Sequence, residues 1–138
     1  MANYFGSWRS NHFKPRDLDA FIEWAGSIKG TDWAEENGLV VLYQDDADGG
    51  LPSIRMNDDD EVEIDFLVEF GAHVASDSVA IIMEIGSEKL RYLVGTATAI
   101  RGAAEGEDGP ETIQISLEDI YERAEAAWLG VEVTPASI

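Results

Sequence analysis

The stretch "SVAIIMEIGSEKLRYLVGTATAIRGAAEGEDGPETIQIS", residues 78–116, decides the fold. "SVAIIMEIG" and "KLRYLVGTATAIRG" are rich in β-branched and aromatic residues, and "GSE" between them reads as a hairpin-like connection. After the polar loop "AAEGEDGP", the segment "ETIQIS" supplies a third strand. Three consecutive strands with short connections predict an antiparallel meander.

On the C-terminal side, "SLEDIYERAEAAW" predicts a helix that closes the fold, with Ser116 as N-cap and Asp119 three residues later, an acidic version of the capping box. Leu117, Ile120, Tyr121, Ala124, Ala127 and Trp128 form its apolar stripe, and Gly130 ends it. "VEVTPASI" reads as a last short strand or tail.

On the N-terminal side lies "NDDDEVEIDF", residues 57–66, with six carboxylates in ten residues. Val62, Ile64 and Phe66 alternate with Glu61, Glu63 and Asp65, which predicts a strand with one buried face. A helix stripe of Phe66, Leu67, Phe70 and Val74 overlaps it. The two agree if extended chain runs to Ile64, Asp65 caps, and a helix continues to about Ala75.

Further back, "LVVLYQ" is a short buried strand after the polar loop "TDWAEENG". "DDADGG" reads as a turn leading to a weaker strand "LPSIRM", so these two strands are expected to pair. Asp17 is placed to cap a helix over "LDAFIEWAGSIKG", with Gly30 where a C-cap belongs. The opening "NYFGSWRSNHFKP" reads as a strand with Tyr4, Trp8 and Phe13 for packing and Gly6 as a bulge. The expected architecture is one α+β domain over residues 1–138. It has an antiparallel β-sheet of about five or six strands with two or three helices packed against it.

Composition supports a folded chain. Hydrophobic residues make up 45%, with four Trp, four Tyr and five Phe, which disordered acidic chains lack. The net charge of -19 is unevenly placed: +1 over residues 1–30, -12 over 31–70, zero over 71–101 and -8 over 102–138. Such a field repels nucleic acid and anionic membrane, and it steers the chain toward basic protein surfaces. The alternative is that acidity serves solubility or salt adaptation, with which the low Lys content agrees. The absence of Cys excludes disulfides and thiolate metal sites. "MANYFGSWRSNHF" lacks the pattern of a signal peptide, so a cytoplasmic location is the default expectation.

Catalytic and metal motifs are weak. A calcium loop starting at Asp46 puts Gly50 at its fifth position, and one starting at Asn57 puts Val62 at the sixth and Val68 at the twelfth. His12 and His73 have no partner spacing for a triad or zinc site, and Ser7, Ser10 and Ser87 have no nucleophile-elbow context. With 28 acidic residues, carboxylate pairs carry no information. "GTATAIRG" lacks the Lys–Ser/Thr pair of a phosphate loop. Arg9, Lys14 and Arg16 beside the N-terminal aromatics imitate a nucleic-acid stacking platform, but the overall field opposes it. The expectation is therefore a non-enzyme without metal or cofactor, and without direct nucleic-acid or membrane binding. The sequence leaves oligomeric state open, a homodimer included.

The acid itself is the remaining candidate surface. Carboxylates of Glu61, Glu63 and Asp65 on a strand repeat every 6.8 Å or so. Phosphates on one DNA strand lie about 3.4 Å apart along the axis, so such a row meets every second one. Asp45, Asp46, Asp48, Asp58, Asp59 and Asp60 extend this surface, and Glu118, Asp119, Glu122 and Glu125 form a second patch.

The segments "NYFGSWRSNHFKPRDLDAF", "EIDF", "EKLRYLVGTATAI" and "ISLEDIYERA" together resemble a group of small uncharacterised proteins of bacterial phages and plasmids. The resemblance runs over most of the chain and brings no catalytic motif. It implies a mobile-element setting, in which acidic antirestriction and anti-CRISPR DNA mimics occur. The expected function is thus an inhibitor that occupies the basic nucleic-acid-binding groove of a defence protein. The alternative is an accessory protein-interaction or small-ligand-binding module whose acidity serves only solubility or salt adaptation.

Overall fold

The computed structural model describes residues 4–45, 50–88 and 92–134, with the side chains of Tyr4, Phe5, Glu88 and Tyr92 outside that description. In chain order the elements are β1 (Tyr4–Ser10), α1 (Leu18–Ser27), β2 (Thr31–Glu36), β3 (Leu39–Gln44), β4 (Ile54–Asn57), β5 (Asp60–Glu63), α2 (Phe66–Ala72), β6 (Val79–Glu88), β7 (Tyr92–Arg101), β8 (Glu111–Ser116) and α3 (Asp119–Ala127). A six-stranded antiparallel sheet has the order β2-β3-β1-β6-β7-β8, and β4-β5 forms a separate ribbon. This is an α+β fold.

The predicted meander is present. β6 pairs with β7 over ten residues and β7 with β8 over six, each in unbroken register. "GSE" belongs to β6, where Gly86, Ser87 and Glu88 face Val94, Leu93 and Tyr92, and the connection beyond it lies outside the described residues. Gly6 is not a bulge: it sits opposite Gly86 in a continuous β1–β6 ladder.

Between β1 and β3 the ladder is carried partly by side chains. The buried Ser10 hydroxyl accepts from the Leu42 N–H at 2.9 Å and donates to the Asn11 carbonyl at 2.8 Å. Asn11 accepts from the Ile81 N–H at 2.7 Å, and the chain rejoins β3 through a Phe13–Val40 bridge. Ser and Asn suit this step because they offer local hydrogen bonds in place of the backbone's own.

Expectations for the first half of the chain also need correction. "TDWAEENG" is not a loop: it contains edge strand β2, joined to β3 by Asn37 and Gly38 at φ 55° and 84°. Both turn residues are left-handed, as the favoured two-residue hairpin requires. Nor does "LPSIRM" pair with "LVVLYQ". β3 lies between β2 and β1, whereas β4 folds back on β5 across Asp58 and Asp59. A two-residue turn closes more readily than the longer connection from β3 to β4.

Helix α1 starts as expected, with Asp17 accepting from the Ala20 N–H at 3.1 Å. It stops at Ser27 rather than at Gly30, because Ile28 turns extended to bridge Arg55 and Lys29 donates to the Ile54 carbonyl. Asp65 caps α2 through the Val68 N–H at 3.4 Å, and that helix ends at Ala72. No strand forms over residues 131–134, and residues 135–138 lie outside the description.

The core lies between one face of the sheet and α1 with α2. Trp8, Val40, Leu42, Ala80, Ile82 and Ile100 come from the strands, and Phe21, Trp24, Ala25, Phe66 and Phe70 from the helices. Aromatic rings meet at its centre: Trp24 stacks on Phe66 at 5.7 Å, and Phe13 meets Phe21 edge-on at the same separation. Helix α3 does not close the fold. It buries no residue, and its Ile120 is exposed together with Trp128 just beyond its end.

Candidate partner-binding surface

The acids of β2 and β8 lie at the two edges of the sheet, and the β4–β5 ribbon is a separate unit tied to the end of α1 and to α2. The first group surrounds β2, the end of β3 and the β4–β5 hairpin. The second follows β8 and α3. Since β2 and β8 are the two edges, about 24 Å of sheet separates them at 4.8 Å per strand.

Within the first group, the hairpin tip Asp58, Asp59 and Asp60 is exposed, and none of the three has an ion-pair partner among the described residues. Cross-strand register puts Glu61 opposite Met56 and Glu63 opposite Ile54, so both carboxylates share one ribbon face. Glu61 is already engaged by Lys29 at 3.0 Å.

Asp65 is not part of the row. The strand ends at Glu63, and Asp65 is committed to capping α2. A continuous row of three free carboxylates is therefore absent, and the hairpin presents the exposed tip plus Glu63.

Asp45 is exposed at the end of β3, and Asp46 and Asp48 lie outside the described residues. Strand β2 adds acids that composition alone assigns to a loop. Asp32 pairs in register with Tyr43, and Glu36 with Leu39, placing both on the face away from the core. Desolvation, helped by the Asp32 carboxylate and by Asp45, raises the Tyr43 phenol above its ordinary 10.0. Burial is the larger cause, and the two carboxylates add to it where β2, β3 and Asp45 meet. The Asn37–Gly38 dipeptide was the signal that could have located Asp32 and Glu36 on a strand.

In the second group, Ser116 is not the N-cap; Glu118 occupies that position and its side chain makes no capping bond. Asp119 instead bonds back to the Ser116 N–H at 2.8 Å and to its hydroxyl at 3.3 Å. Only the return half of the capping box forms, because residues 117 and 118 already make a turn of their own. Glu118, Glu122 and Glu125 remain exposed. Nearby, Arg101 is held by Glu107 and Glu111, both at 2.8 Å.

Catalytic geometry does not emerge among the described residues. His12 is exposed, while His73 stacks on Trp24 at 4.7 Å and has its pKa lowered by burial. No cluster of three His, Asp or Glu side chains suited to a metal ion occurs among the described residues. No described helix is long and apolar enough to cross a membrane. Compared with known proteins, the chain matches no family model, no curated protein and no solved structure.

Proposed function

We propose that this chain is a non-enzymatic acidic inhibitor that occupies the basic nucleic-acid-binding groove of a bacterial defence protein, of the antirestriction or anti-CRISPR kind. One observation carries the reading: exposed carboxylates at the hairpin tip, Asp58, Asp59 and Asp60, stand on a hydrogen-bonded ribbon with no ion-pair partner among the described residues. Glu63 adds charge on the ribbon itself, and Asp32 and Asp45 add it where β2 begins and β3 ends. Charges held on a rigid frame lose little entropy when a Lys- or Arg-lined groove closes on them, and like DNA they bind in a salt-sensitive way.

The test is capture from a bacterial lysate at rising salt, with the chain carrying Asp58→Asn, Asp59→Asn, Asp60→Asn and Glu63→Gln as control. A nucleic-acid-binding protein should be retained by the natural chain, lost with salt and lost with the four substitutions. Added chain should then displace labelled duplex from that protein. Equal capture by the neutralised variant would sink the proposal.

A second reading is a protein-interaction module whose acidity serves only solubility. It is favoured by the apolar side chains exposed on the face of the sheet away from the core.

A further inference from the structure

The face of β6, β7 and β8 turned away from the core is apolar, and among the described residues no helix or strand covers it. Register places Met83 and Ile85 of β6 beside Ala97 and Gly95 of β7, and Ile115 and Ile113 of β8 beside Ala97 and Ala99. Small residues on the middle strand thus form a trough between two ridges. Leu117 lies over Gly95, where an added Cβ would come within 2.9 Å of it. Three adjoining depressions of about 190, 410 and 470 Å³ all include Ile85 in their lining.

We propose that a second copy of this chain covers this face, packing sheet against sheet about a two-fold axis, with α3 of each copy at the margin. Area is the first argument. Met83, Ile85, Leu93, Ile113, Ile115 and Leu117 are 53 to 72% exposed, and Ile120 and Trp128 are at least 60% exposed. At somewhat over 100 Å² each they present on the order of 1,000 Å², beyond the few hundred usual for a monomer and near the roughly 800 Å² per partner of a stable complex.

Charge is the second argument. A chain of net charge -19 repels its own copy almost everywhere. On the exposed β6–β8 face the charged residues are Arg101 and Glu111, at one end and paired at 2.8 Å. Arg9 of β1, in register with Met83, borders it, so a basic partner would find no unpaired carboxylate on these strands, whereas an identical face can keep Arg9 at its rim. Ridge and trough supply the self-complementary relief that a two-fold interface needs.

The two edges supply the third. β2 carries Asp32, Glu35 and Glu36, which guard it against pairing, but β8 has no charged residue between Thr112 and Ser116. The unguarded edge belongs to the apolar side of the molecule.

Sedimentation velocity of the full chain tests this. The expected result is a species of twice 15.1 kDa whose share grows with protein concentration. It should also grow from about 50 mM to about 500 mM salt, because screening weakens the mutual repulsion. This is opposite to the salt response of the acidic inhibitor surface, so the two proposals fail separately. Ile85→Thr with Ile113→Thr keeps charge and β-branching and should weaken association at least tenfold or so at unchanged circular dichroism. Met83→Gln with Leu93→Gln is the second pair, should the first disturb folding. A chain that stays monomeric at about 100 μM in high salt overturns the proposal. If that monomer also lights up a hydrophobic dye, the face belongs to a different apolar partner. A dimer indifferent to both pairs overturns it as well.

Discussion

Arg55 of the β4–β5 ribbon grips Glu69 of α2, its Nη1 standing 2.8 and 3.0 Å from the two carboxylate oxygens. Trp24 of α1 donates its indole N–H to the same carboxylate at 2.9 Å. One half-buried anion therefore ties together the acidic hairpin and both core helices. Arg55→Ala should cost about 1–2 kcal/mol, since a partly buried anion loses its charged partner but keeps a neutral donor. Urea denaturation checks this. Because Lys29 also holds Glu61, the variant should loosen the hairpin first, visible as faster amide exchange at residues 54–63.

Gly102, just after β7, allows two backbone segments to touch. A Cβ there would collide with the carbonyl oxygens of Val74 and Ala75, which cannot move aside as a flexible side chain can. Gly102→Ala is therefore expected to cost more than about 3 kcal/mol or to prevent folding. Soluble yield and thermal midpoint give the answer. Gly26→Ala, which meets nothing within 4 Å, is the control and should be mildly stabilising within helix α1.

His73 predicts a pH dependence. Burial lowers its pKa, against the opposing pull of Glu69 and Asp17. Between the lowered folded value and the ordinary 6.5, the unfolded chain binds a proton that the folded chain does not. Stability is thus full above about 6.5 and falls as pH drops through this window. His73→Gln should flatten the slope of unfolding free energy against pH there, read from urea titrations at a series of pH values. An unchanged slope would assign the dependence to other groups.

Asp58 carries strain as well as charge, at φ 56° in the hairpin turn. Asp58→Gly removes a left-handed side chain and one of three adjacent negative charges, for an expected gain of about 0.5–1 kcal/mol. Asp58→Ala should lose stability instead, because alanine tolerates the left-handed region less well than aspartate, which offsets the charge relieved. Thermal melts separate the two. If Asp58→Gly stabilises yet weakens partner capture, that charge is retained for binding at the expense of the fold.

Local pattern was legible in the residues. Leu18 to Ile28 carried helical spacing, Asp17 and Asp65 stood where caps belong, and residues 78–116 declared three strands in order. Exposed Glu61 and Glu63 alternating with half-buried Val62 and Ile64 followed from period two alone. What escaped was anything set by a distant partner. Strand β2 was hidden because an edge strand needs only one neighbour and can carry exposed acids on both faces, Asp32 and Glu36 on one and Glu35 on the other. Asp65 left the acidic row because capping α2 took its carboxylate.

By itself the sequence determined most of the element types, the α+β class, two blocks of acid and a neutral apolar middle, since these depend on spacing and composition. Only the tertiary structure decided that β2 and β8 form the two edges of one sheet and that the acidic β4–β5 hairpin stands apart from it. It also decided that Met83, Ile85, Ile113 and Ile115 face outward. Strands apolar on both faces read as fully buried, but helices α1 and α2 cover one face, and α3 does not pack down over the other. Alternation tells which residues share a face of a strand; it carries nothing about what, if anything, lies on top of it.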